Sequence, residues 1–321
     1  MTTTEVKRRV RHDRDPALIP EREGSKRGYW LYLIPGGILV AVVIFYPIVR
    51  NMRLSLFHWR GGRAEEHFAG LANWAALFHD HAFIQSFINI VLVVIAMVIV
   101  PTLLGLVVAA LLFDVVGRRF GASLSSFLRA TYYLPQILPI AVAGVMFSWI
   151  LKPNSQGVLN QFLSFVTGNS VEVNWLGGSY VTAMGSVMVL MVWIQIGYPV
   201  VIFMAALQRV DPQLYEAAEL DGANWFQRFR AITLPMIRPE VFVVALTTTI
   251  ASLKVFAPVF ILTGGGPSKS TYVPSFYAYE EFIRGTDKGY AATIASAITI
   301  VVIIVAIIFI RVQTRAEQKD A

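Results

Sequence analysis

The chain has 321 residues, of which 56% are hydrophobic and only 15% are charged. About a quarter of the residues of a soluble domain are charged, so this composition excludes an ordinary soluble protein and indicates an integral membrane protein. The net charge of +7 does not indicate a nucleic-acid partner, because the basic residues lie in tails and loops beside apolar runs, as orientation signals do. Because the chain has no cysteine, it has no disulfides and no thiolate metal sites.

Six apolar runs organise the chain. The first 28 residues hold eight basic and five acidic side chains, and this composition predicts a polar tail without a packed core. Beyond it, apolar runs long enough to cross a bilayer alternate with polar loops. The fold class that we predict is an all-α integral membrane protein with six transmembrane helices. Their predicted ranges are 29–49, 84–113, 131–151, 182–207, 240–262 and 290–310.

The loop 50–83 after the first predicted helix contains four of the five histidines of the chain. Two of them, His79 and His81, are two positions apart, and this spacing does not place both on one face of a helix. We therefore expect a solvated loop here and predict no metal site.

The distribution of lysine and arginine predicts the orientation in the membrane. Eighteen of these residues lie on the side that holds both termini and the loop 208–239, and eight lie on the other side. Because cytoplasmic loops carry the excess of basic residues, we predict a multi-pass protein of the cell membrane with both termini and the loop 208–239 in the cytoplasm. Four arginines in the first loop oppose this trend, namely Arg50, Arg53, Arg60 and Arg63.

The loop 208–239 has the pattern of two short helices joined by a bend. Asp211 can cap a first helix that begins with Pro212, and Gly222 permits the turn at its end. Asn224 can cap a second helix, which we expect to stop at Leu234-Pro235. The second helix would carry an apolar stripe of Trp225, Phe229 and Ile232. Taken alone, this pattern is typical of an amphipathic connector on a membrane surface.

The order of residues in this loop resembles the EAA loop of the permease subunits of binding-protein-dependent ABC importers. The matching positions are Glu216, Ala217, Ala218, Asp221, Gly222, Ala223, Leu234 and Pro235. In that family the loop is a cytoplasmic coupling helix that sits in a groove of the ATP-binding subunit, so the resemblance implies this role for these eight residues. The resemblance extends over roughly residues 84–311 and implies that this range is the transmembrane core. The other predicted parts are a polar cytoplasmic tail at 1–28, a first transmembrane helix with its extracytoplasmic loop at 29–83, and a cytoplasmic tail at 312–321.

The segment 256–267, FAPVFILTGGGP, resembles the end of the fifth transmembrane helix of carbohydrate-type permeases in the same family. Many of those proteins have an aspartate directly after the phenylalanine, where this chain has Ala257. The resemblance implies that the chain is not an enzyme but translocates a sugar or related carbohydrate. It also implies three kinds of partner: a second permease, two copies of an ATP-binding subunit that holds the ATP and Mg²⁺, and an extracytoplasmic solute-binding protein.

The segment 264–270, GGGPSKS, superficially looks like a phosphate-binding loop. That motif requires a glycine directly before the lysine, but Ser268 precedes Lys269 here, and Pro267 removes an N–H that could bind phosphate. We therefore expect this chain to bind no cofactor itself.

Four residues are candidates for a solute pathway. Lys254 is the only basic residue inside a predicted transmembrane helix, and a lysine there costs about 2.5–3.5 kcal/mol unless it faces the helix bundle or water. A snorkelling lysine or a buried structural pair is an equally good interpretation. Gln195 and Tyr198 lie in the fourth predicted helix, where a polar amide needs a partner, and Phe256 could present an apolar face to a sugar ring.

Three alternatives compete with a carbohydrate importer. The first is an ABC importer permease for a solute that is not a sugar. A stand-alone secondary transporter is disfavoured, because apart from Lys254, and Glu240 at a helix end, the predicted helices lack ionisable residues. A membrane enzyme is disfavoured because no acid, base or metal-binding groups converge in the sequence.

Overall fold

The structure is a computed structural model that describes residues 29–117 and 120–320. The predicted polar tail 1–28 lies outside the described residues, as do Arg118 and Arg119 of the second connector. The chain divides into two units, 1–49 and 50–321. The first unit contains helix Tyr29–Val40, the π-helical turn Ala41–Phe45 and the start of helix Tyr46–Leu54.

The second unit is mostly helical. Its helices after residue 54 are Ala72–Leu77, His81–Leu111, Ala122–Ile137, Ile140–Ile150, Val158–Thr167, Tyr180–Gln195, Gly197–Leu207, Pro212–Leu220, Trp225–Arg228, Leu234–Met236, Arg238–Leu253, Ala257–Leu262, Pro274–Arg284 and Lys288–Asp320. It also has π-helical turns at Leu112–Gly117 and Phe229–Thr233 and a 3₁₀ turn at Asn154–Gln156. The strands Phe57–His58 and His67–Phe68 form an antiparallel hairpin in which His58 is opposite His67.

The described residues contain four helical segments that are long and apolar enough to cross a membrane, namely Leu31–Leu54, His81–Gly117, Tyr180–Leu207 and Lys288–Arg315. Two bent pairs add to these. Ser123–Ile137 meets Ile140–Ile150 at 93°, and Trp225–Met236 meets Arg238–Leu253 at 68°. The described part of the chain therefore has four such segments, or up to six if each bent pair counts as one, and the predicted all-α membrane fold is confirmed.

The third predicted transmembrane helix, 131–151, is wrong as a continuous helix. The helix stops at Ile137, and Leu138 has an extended backbone with φ −65° and ψ 134°. The cause is Pro139, because the ring of a proline disfavours helical geometry at the residue before it.

The fifth predicted helix, 240–262, is also broken. The helix ends at Leu253, and a new helix, Ala257–Leu262, begins after three non-helical residues. Pro258 explains the break, because it has no N–H to bond the carbonyl of Lys254 four residues before it, and its ring clashes with that carbonyl. Lys254 therefore lies at a helix end and not inside a continuous helix as predicted.

The predicted solvated loop 50–83 is instead folded against the last helix. Asn51 Nδ2 donates to the Ala292 carbonyl at 3.1 Å and to Ser296 Oγ at 2.9 Å. Asn73 is 3% exposed and donates to the carbonyl oxygens of Ser55 and Phe57 at 3.2 and 3.1 Å. A polarity pattern could not show that these amides satisfy buried carbonyls.

Helix His81–Leu111 lies at the centre of the second unit and packs against four others, namely Gly197–Leu207, Arg238–Leu253, Tyr180–Gln195 and Pro274–Arg284. Small residues allow close approach at two helix crossings. A Cβ atom on Gly105 would lie 2.5 Å from Pro199 Cβ, and one on Gly197 would lie 2.3 Å from the Tyr132 carbonyl oxygen.

Asp80 holds the N-terminal end of this central helix. Its Oδ1 accepts from the N–H groups of Ala82 and Phe83, and its Oδ2 accepts from the hydroxyls of Tyr277 at 2.5 Å and Tyr290 at 2.6 Å. Burial raises the pKa of Asp80, but the hydrogen bonds from the two tyrosines and the two backbone groups outweigh it and leave the pKa below its ordinary value. The carboxylate thus joins three helices.

Candidate functional site

The first half of the loop 208–239 has the predicted local structure. Helix Pro212–Leu220 begins at Asp211, whose Oδ1 accepts from the N–H of Gln213 at 2.9 Å. Gly222 follows the helix with φ +76°, a left-handed conformation that glycine adopts without steric cost. The predicted cap and turn are confirmed.

The second half begins as predicted but ends later. Asn224 and Gln227 form a capping box, and the rings of Trp225 and Phe229 stack with centroids 5.3 Å apart. The predicted stop at Leu234-Pro235 is wrong, because the chain continues through a π-helical turn into helix Leu234–Met236. Pro235 cannot donate to the carbonyl four residues before it, and the Leu234 N–H bonds to Phe229, five residues before it.

Tyr215 joins this loop to the rest of the chain, and no pattern in the sequence indicates this role. Its side chain is 1% exposed, and its hydroxyl lies 3.0 Å from Oγ1 of Thr233, which is also 1% exposed. Its ring lies 6.3 Å from that of Phe113, at the C-terminal end of the central helix. Leu214, the residue before it, is 44% exposed.

The residues that match the EAA pattern lie largely on the surface of the loop. Six of the eight are exposed and two are half-buried; the exposed ones are Glu216, Ala217, Asp221, Gly222, Leu234 and Pro235, and the half-buried ones are Ala218 and Ala223. Two large apolar side chains accompany them, because Leu220 is 90% and Phe226 is 63% exposed. An ion pair between Glu219 and Arg228 links the two halves of the loop. Exposed apolar side chains on a polar loop are typical of a surface that a partner protein or a membrane covers.

Three of the four candidate pathway residues meet in one cavity of about 360 Å³, namely Gln195, Lys254 and Phe256. Gln195 is 8% exposed, and its Nε2 lies 3.4 Å from Thr248 Oγ1. Tyr198 does not line the cavity, and its hydroxyl pairs instead with Thr247 Oγ1 at 3.1 Å.

Lys254 is exposed and has no partner within the described part of the chain. None of the ion pairs or side-chain hydrogen bonds among those residues includes its ammonium group. An ammonium group at membrane depth costs about 2.5–3.5 kcal/mol, whereas the partial negative charge of a helix C-terminus offsets about 0.3–1 kcal/mol. The end of helix Arg238–Leu253 therefore compensates only part of this charge.

The histidines of the first loop do not assemble a metal site in the residues that the structure describes, where no three His, Asp or Glu side chains converge. His58 instead bonds Asp287 through Nδ1 and Oδ2 at 2.5 Å. Burial raises the pKa of Asp287, but the hydrogen bonds from His58 and from the backbone N–H groups of Trp59, Gly289 and Tyr290 together hold it below its ordinary value. This contact ties the hairpin to the start of the last helix.

Comparison with known proteins identifies the family. The sequence model described as "Binding-protein-dependent transport system inner membrane component" matches residues 102–319. The probable ABC transporter permease protein YurN of Bacillus subtilis is 35% identical over 85% of this chain and 91% of its own length. The trehalose/maltose transport system permease protein MalF of Thermococcus litoralis is 32% identical over 90% of this chain and 94% of its own length.

The fold agrees with this assignment. A chain in the crystal structure of a bacterial ABC transporter that imports the acidic polysaccharide alginate superposes with a TM-score of 0.76. It is 21% identical and covers 90% of this chain and 96% of its own length. The present chain therefore belongs to the family of binding-protein-dependent transport system inner membrane components and is a multi-pass permease subunit of an ABC importer.

Proposed function

We propose that this permease translocates a carbohydrate and that the loop 208–239 couples it to ATP hydrolysis on a separate ATP-binding subunit. The observation that carries the coupling proposal is a loop with two capped helices that is anchored by Tyr215 and exposes Leu220 and Phe226. The carbohydrate assignment is supported by the name of the Thermococcus relative, by the alginate transporter of the same fold and by the segment 256–267.

Force would pass from the loop to the membrane helices through Tyr215. A movement of helix Pro212–Leu220 acts on Phe113, at the end of the central helix, through the ring of Tyr215. It acts on the π-helical turn before helix Arg238–Leu253 through the hydrogen bond to Thr233. One buried side chain thus contacts the π-helical turn after the central helix and the π-helical turn that precedes helix Arg238–Leu253, and a closing pair of ATP-binding subunits could move both helices through it as a rigid-body switch.

The solute would pass the cavity at the break after Leu253. Gln195 and Lys254 supply its polar groups, and Phe256 supplies an aromatic face suited to the C–H surface of a sugar ring. Tyr198 lies outside the cavity and would contribute only if its bond to Thr247 opened.

The assembly that we propose contains a second permease, two ATP-binding subunits that hold ATP and Mg²⁺, and an extracytoplasmic solute-binding protein. Both termini and the loop 208–239 would be cytoplasmic, with the transmembrane core at 84–311. The 31-residue central helix is about 46 Å long and carries Asp80 at one end and the contact with Tyr215 beyond the other. The loops packed around Asp80 would therefore face the binding protein.

Two substitutions test the coupling. Glu216→Ala should abolish ATP-driven uptake while leaving membrane insertion and the melting temperature of the complex nearly unchanged, because the Glu216 side chain is exposed. Gly222→Leu should also abolish uptake, but it forces a leucine into the left-handed conformation at φ +76° and should destabilise the loop by about 1–3 kcal/mol while leaving membrane insertion intact. Glu172→Ala, an exposed carboxylate in another loop, is the matched control and should transport normally. Normal uptake by both loop variants, or uptake by this chain alone in liposomes without nucleotide, would contradict the proposal.

A cross-linking experiment locates the partner of the loop. Because the chain has no cysteine, Leu220→Cys introduces a single thiol at a 90% exposed position. A cysteine-reactive photo-cross-linker at this site should capture the ATP-binding subunit, and one at Glu172→Cys should not. Capture of lipid alone from position 220 would refute the docking surface.

A further inference from the structure

The cavity at the helix break carries a positive charge that its walls do not neutralise. Of the eleven described residues that line it, Lys254 is the only charged one, and Gln195 is the only other residue with a polar side chain. The remaining walls are aliphatic, aromatic or thioether groups, contributed by Met97, Ile140, Met191, Ile194, Ala251, Val255, Phe256, Ala257 and Pro258.

The break itself places the ammonium group there. Helix Arg238–Leu253 ends directly before Lys254, and the next helix starts at Ala257; both residues line the same cavity. Position 257 lines the same cavity as the lysine, and alanine there supplies no carboxylate to oppose its charge. The carbonyl groups at the helix end offset only a fraction of the charge.

We propose that the cavity takes a solute of sugar size that bears an acidic group, a carboxylate, sulfonate or phosphate, with Lys254 as its counter-charge. This inference rests on the proposed carbohydrate-permease function and specifies the class of substrate. The acidic group pairs with the ammonium, the Gln195 amide binds a hydroxyl, and the ring lies against Phe256. A neutral sugar would leave the charge of the lysine without a counter-charge in a cavity whose walls are mainly apolar. The site therefore favours an acidic sugar over a neutral sugar of similar structure.

The test compares uptake of matched sugars by the importer purified with its accompanying subunits and reconstituted with ATP inside liposomes. The probes are galacturonate against galactose, digalacturonate against digalactose, and glucose 6-phosphate against glucose. Lys254→Gln removes the charge and Lys254→Arg retains it. Ala257→Asp adds a carboxylate to the same cavity, and Ala257→Asn is its neutral control of similar size.

The binding protein is identical in all reactions, so a change in the ratio of acidic to neutral uptake between variants reports on the permease. The wild type should take up at least one acidic probe faster than its neutral counterpart. Lys254→Gln and Ala257→Asp should each lower the ratio of acidic to neutral uptake by about tenfold or more. Lys254→Arg, which keeps the positive charge, and Ala257→Asn, which adds no charge, should change this ratio by less than about twofold, whatever their absolute uptake.

Two results would overturn the inference while leaving the carbohydrate function intact. One is a wild type that prefers the neutral member of every pair. The other is an unchanged ratio in both Lys254→Gln and Ala257→Asp, which would mean that a carboxylate of another subunit already neutralises the lysine. Absence of ATP-driven uptake for every probe would instead refute the proposed function. Ala257→Asp removes no group from this chain, so it remains informative if Lys254→Gln fails to assemble.

Discussion

The contact between Tyr215 and Thr233 gives a quantitative test of how the loop 208–239 is held. Both side chains are 1% exposed, and their hydroxyl oxygens lie 3.0 Å apart. Tyr215→Phe removes one hydroxyl and leaves the Thr233 oxygen buried without this bond, which should cost about 1–3 kcal/mol of unfolding free energy. Thr233→Val is the reciprocal change of nearly the same shape; it leaves the buried Tyr215 hydroxyl without this bond and should also cost about 1–3 kcal/mol.

The double variant separates a hydrogen bond from simple packing. Replacing both partners by apolar groups of the same shape removes the desolvation penalty of the orphaned group, so Tyr215→Phe with Thr233→Val should cost less than the sum of the two single changes. The expected coupling energy is about 0.5–3 kcal/mol. Tyr215→Ala, which also empties the space of the ring, should be the most damaging at about 3–5 kcal/mol.

The assay is reversible unfolding of the purified chain in mixed micelles by titration with a denaturing detergent, followed by far-ultraviolet circular dichroism. The same four variants are then tested for uptake and ATP hydrolysis in the assembled importer. If Tyr215 transmits movement, Tyr215→Ala should hydrolyse ATP with little uptake. If the unfolding costs of the two single variants add up to that of the double variant within about 0.5 kcal/mol, the hydrogen-bond argument is refuted. If Tyr215→Ala takes up as much solute for each ATP hydrolysed as the wild type does, the proposed transmission through Tyr215 is refuted.

The remaining predictions concern helix packing and pH. Gly197→Ala places a Cβ atom 2.3 Å from the Tyr132 carbonyl oxygen and should lower the unfolding free energy by about 1–3 kcal/mol. Gly185→Ala, whose Cβ atom would have nothing within 4 Å, is the control and should be neutral. Equal melting temperatures of the two variants would contradict this prediction. Asp80 and Asp287 have pKa values below the ordinary 3.8, so the unfolded chain binds more protons in acid. The stability that the two carboxylates contribute is complete above that value and is lost as the pH falls through their folded pKa values. When the pH is lowered from about 4, the melting temperature should therefore fall. The fall should be less steep in Asp80→Asn, which lacks one of the two carboxylates.

Signals that act over a few residues were predictable from the sequence. The caps at Asp211 and Asn224 and the turn at Gly222 depend on hydrogen bonds to backbone groups two or three positions away or on the φ angle of one residue. The surroundings of the loop do not alter these local preferences. This explains why helices Pro212–Leu220 and Trp225–Arg228 of the loop 208–239 begin at the predicted residues.

The helix breaks were not predictable from the apolar runs, because proline alone does not decide between a kink and a break. Pro101 lies inside the continuous helix His81–Leu111, whereas Pro139 and Pro258 each interrupt a run of similar composition. Whether neighbouring groups satisfy the carbonyl that a proline frees depends on packing, which the run of apolar residues does not record.

Long-range contacts account for what the sequence missed or misjudged at the candidate sites. Tyr215 is buried because Phe113, about a hundred positions earlier, and Thr233, 18 positions later, come to it. Gln195 and Lys254 meet in one cavity only because the helix stops after Leu253. Periodicity within one helix carries no information about such meetings.

The two ends of the central helix are held in different ways, and this difference bears on where a partner is needed. At the N-terminal end, Asp80 accepts two tyrosine hydroxyls, and Asn89 donates to two backbone carbonyls at 2.6 and 2.7 Å, all from segments about 180 residues or more away. Beyond the other end, Tyr215 is the buried side chain of helix Pro212–Leu220, while Leu220 and Phe226 stand 90% and 63% exposed. Covering each of these side chains would contribute up to about 1.5–3 kcal/mol. The loop 208–239 can therefore gain most of its further stability by burying the apolar side chains that face away from this chain. In the proposed assembly, an ATP-binding subunit that covers Leu220 and Phe226 would hold the loop on the side opposite Tyr215.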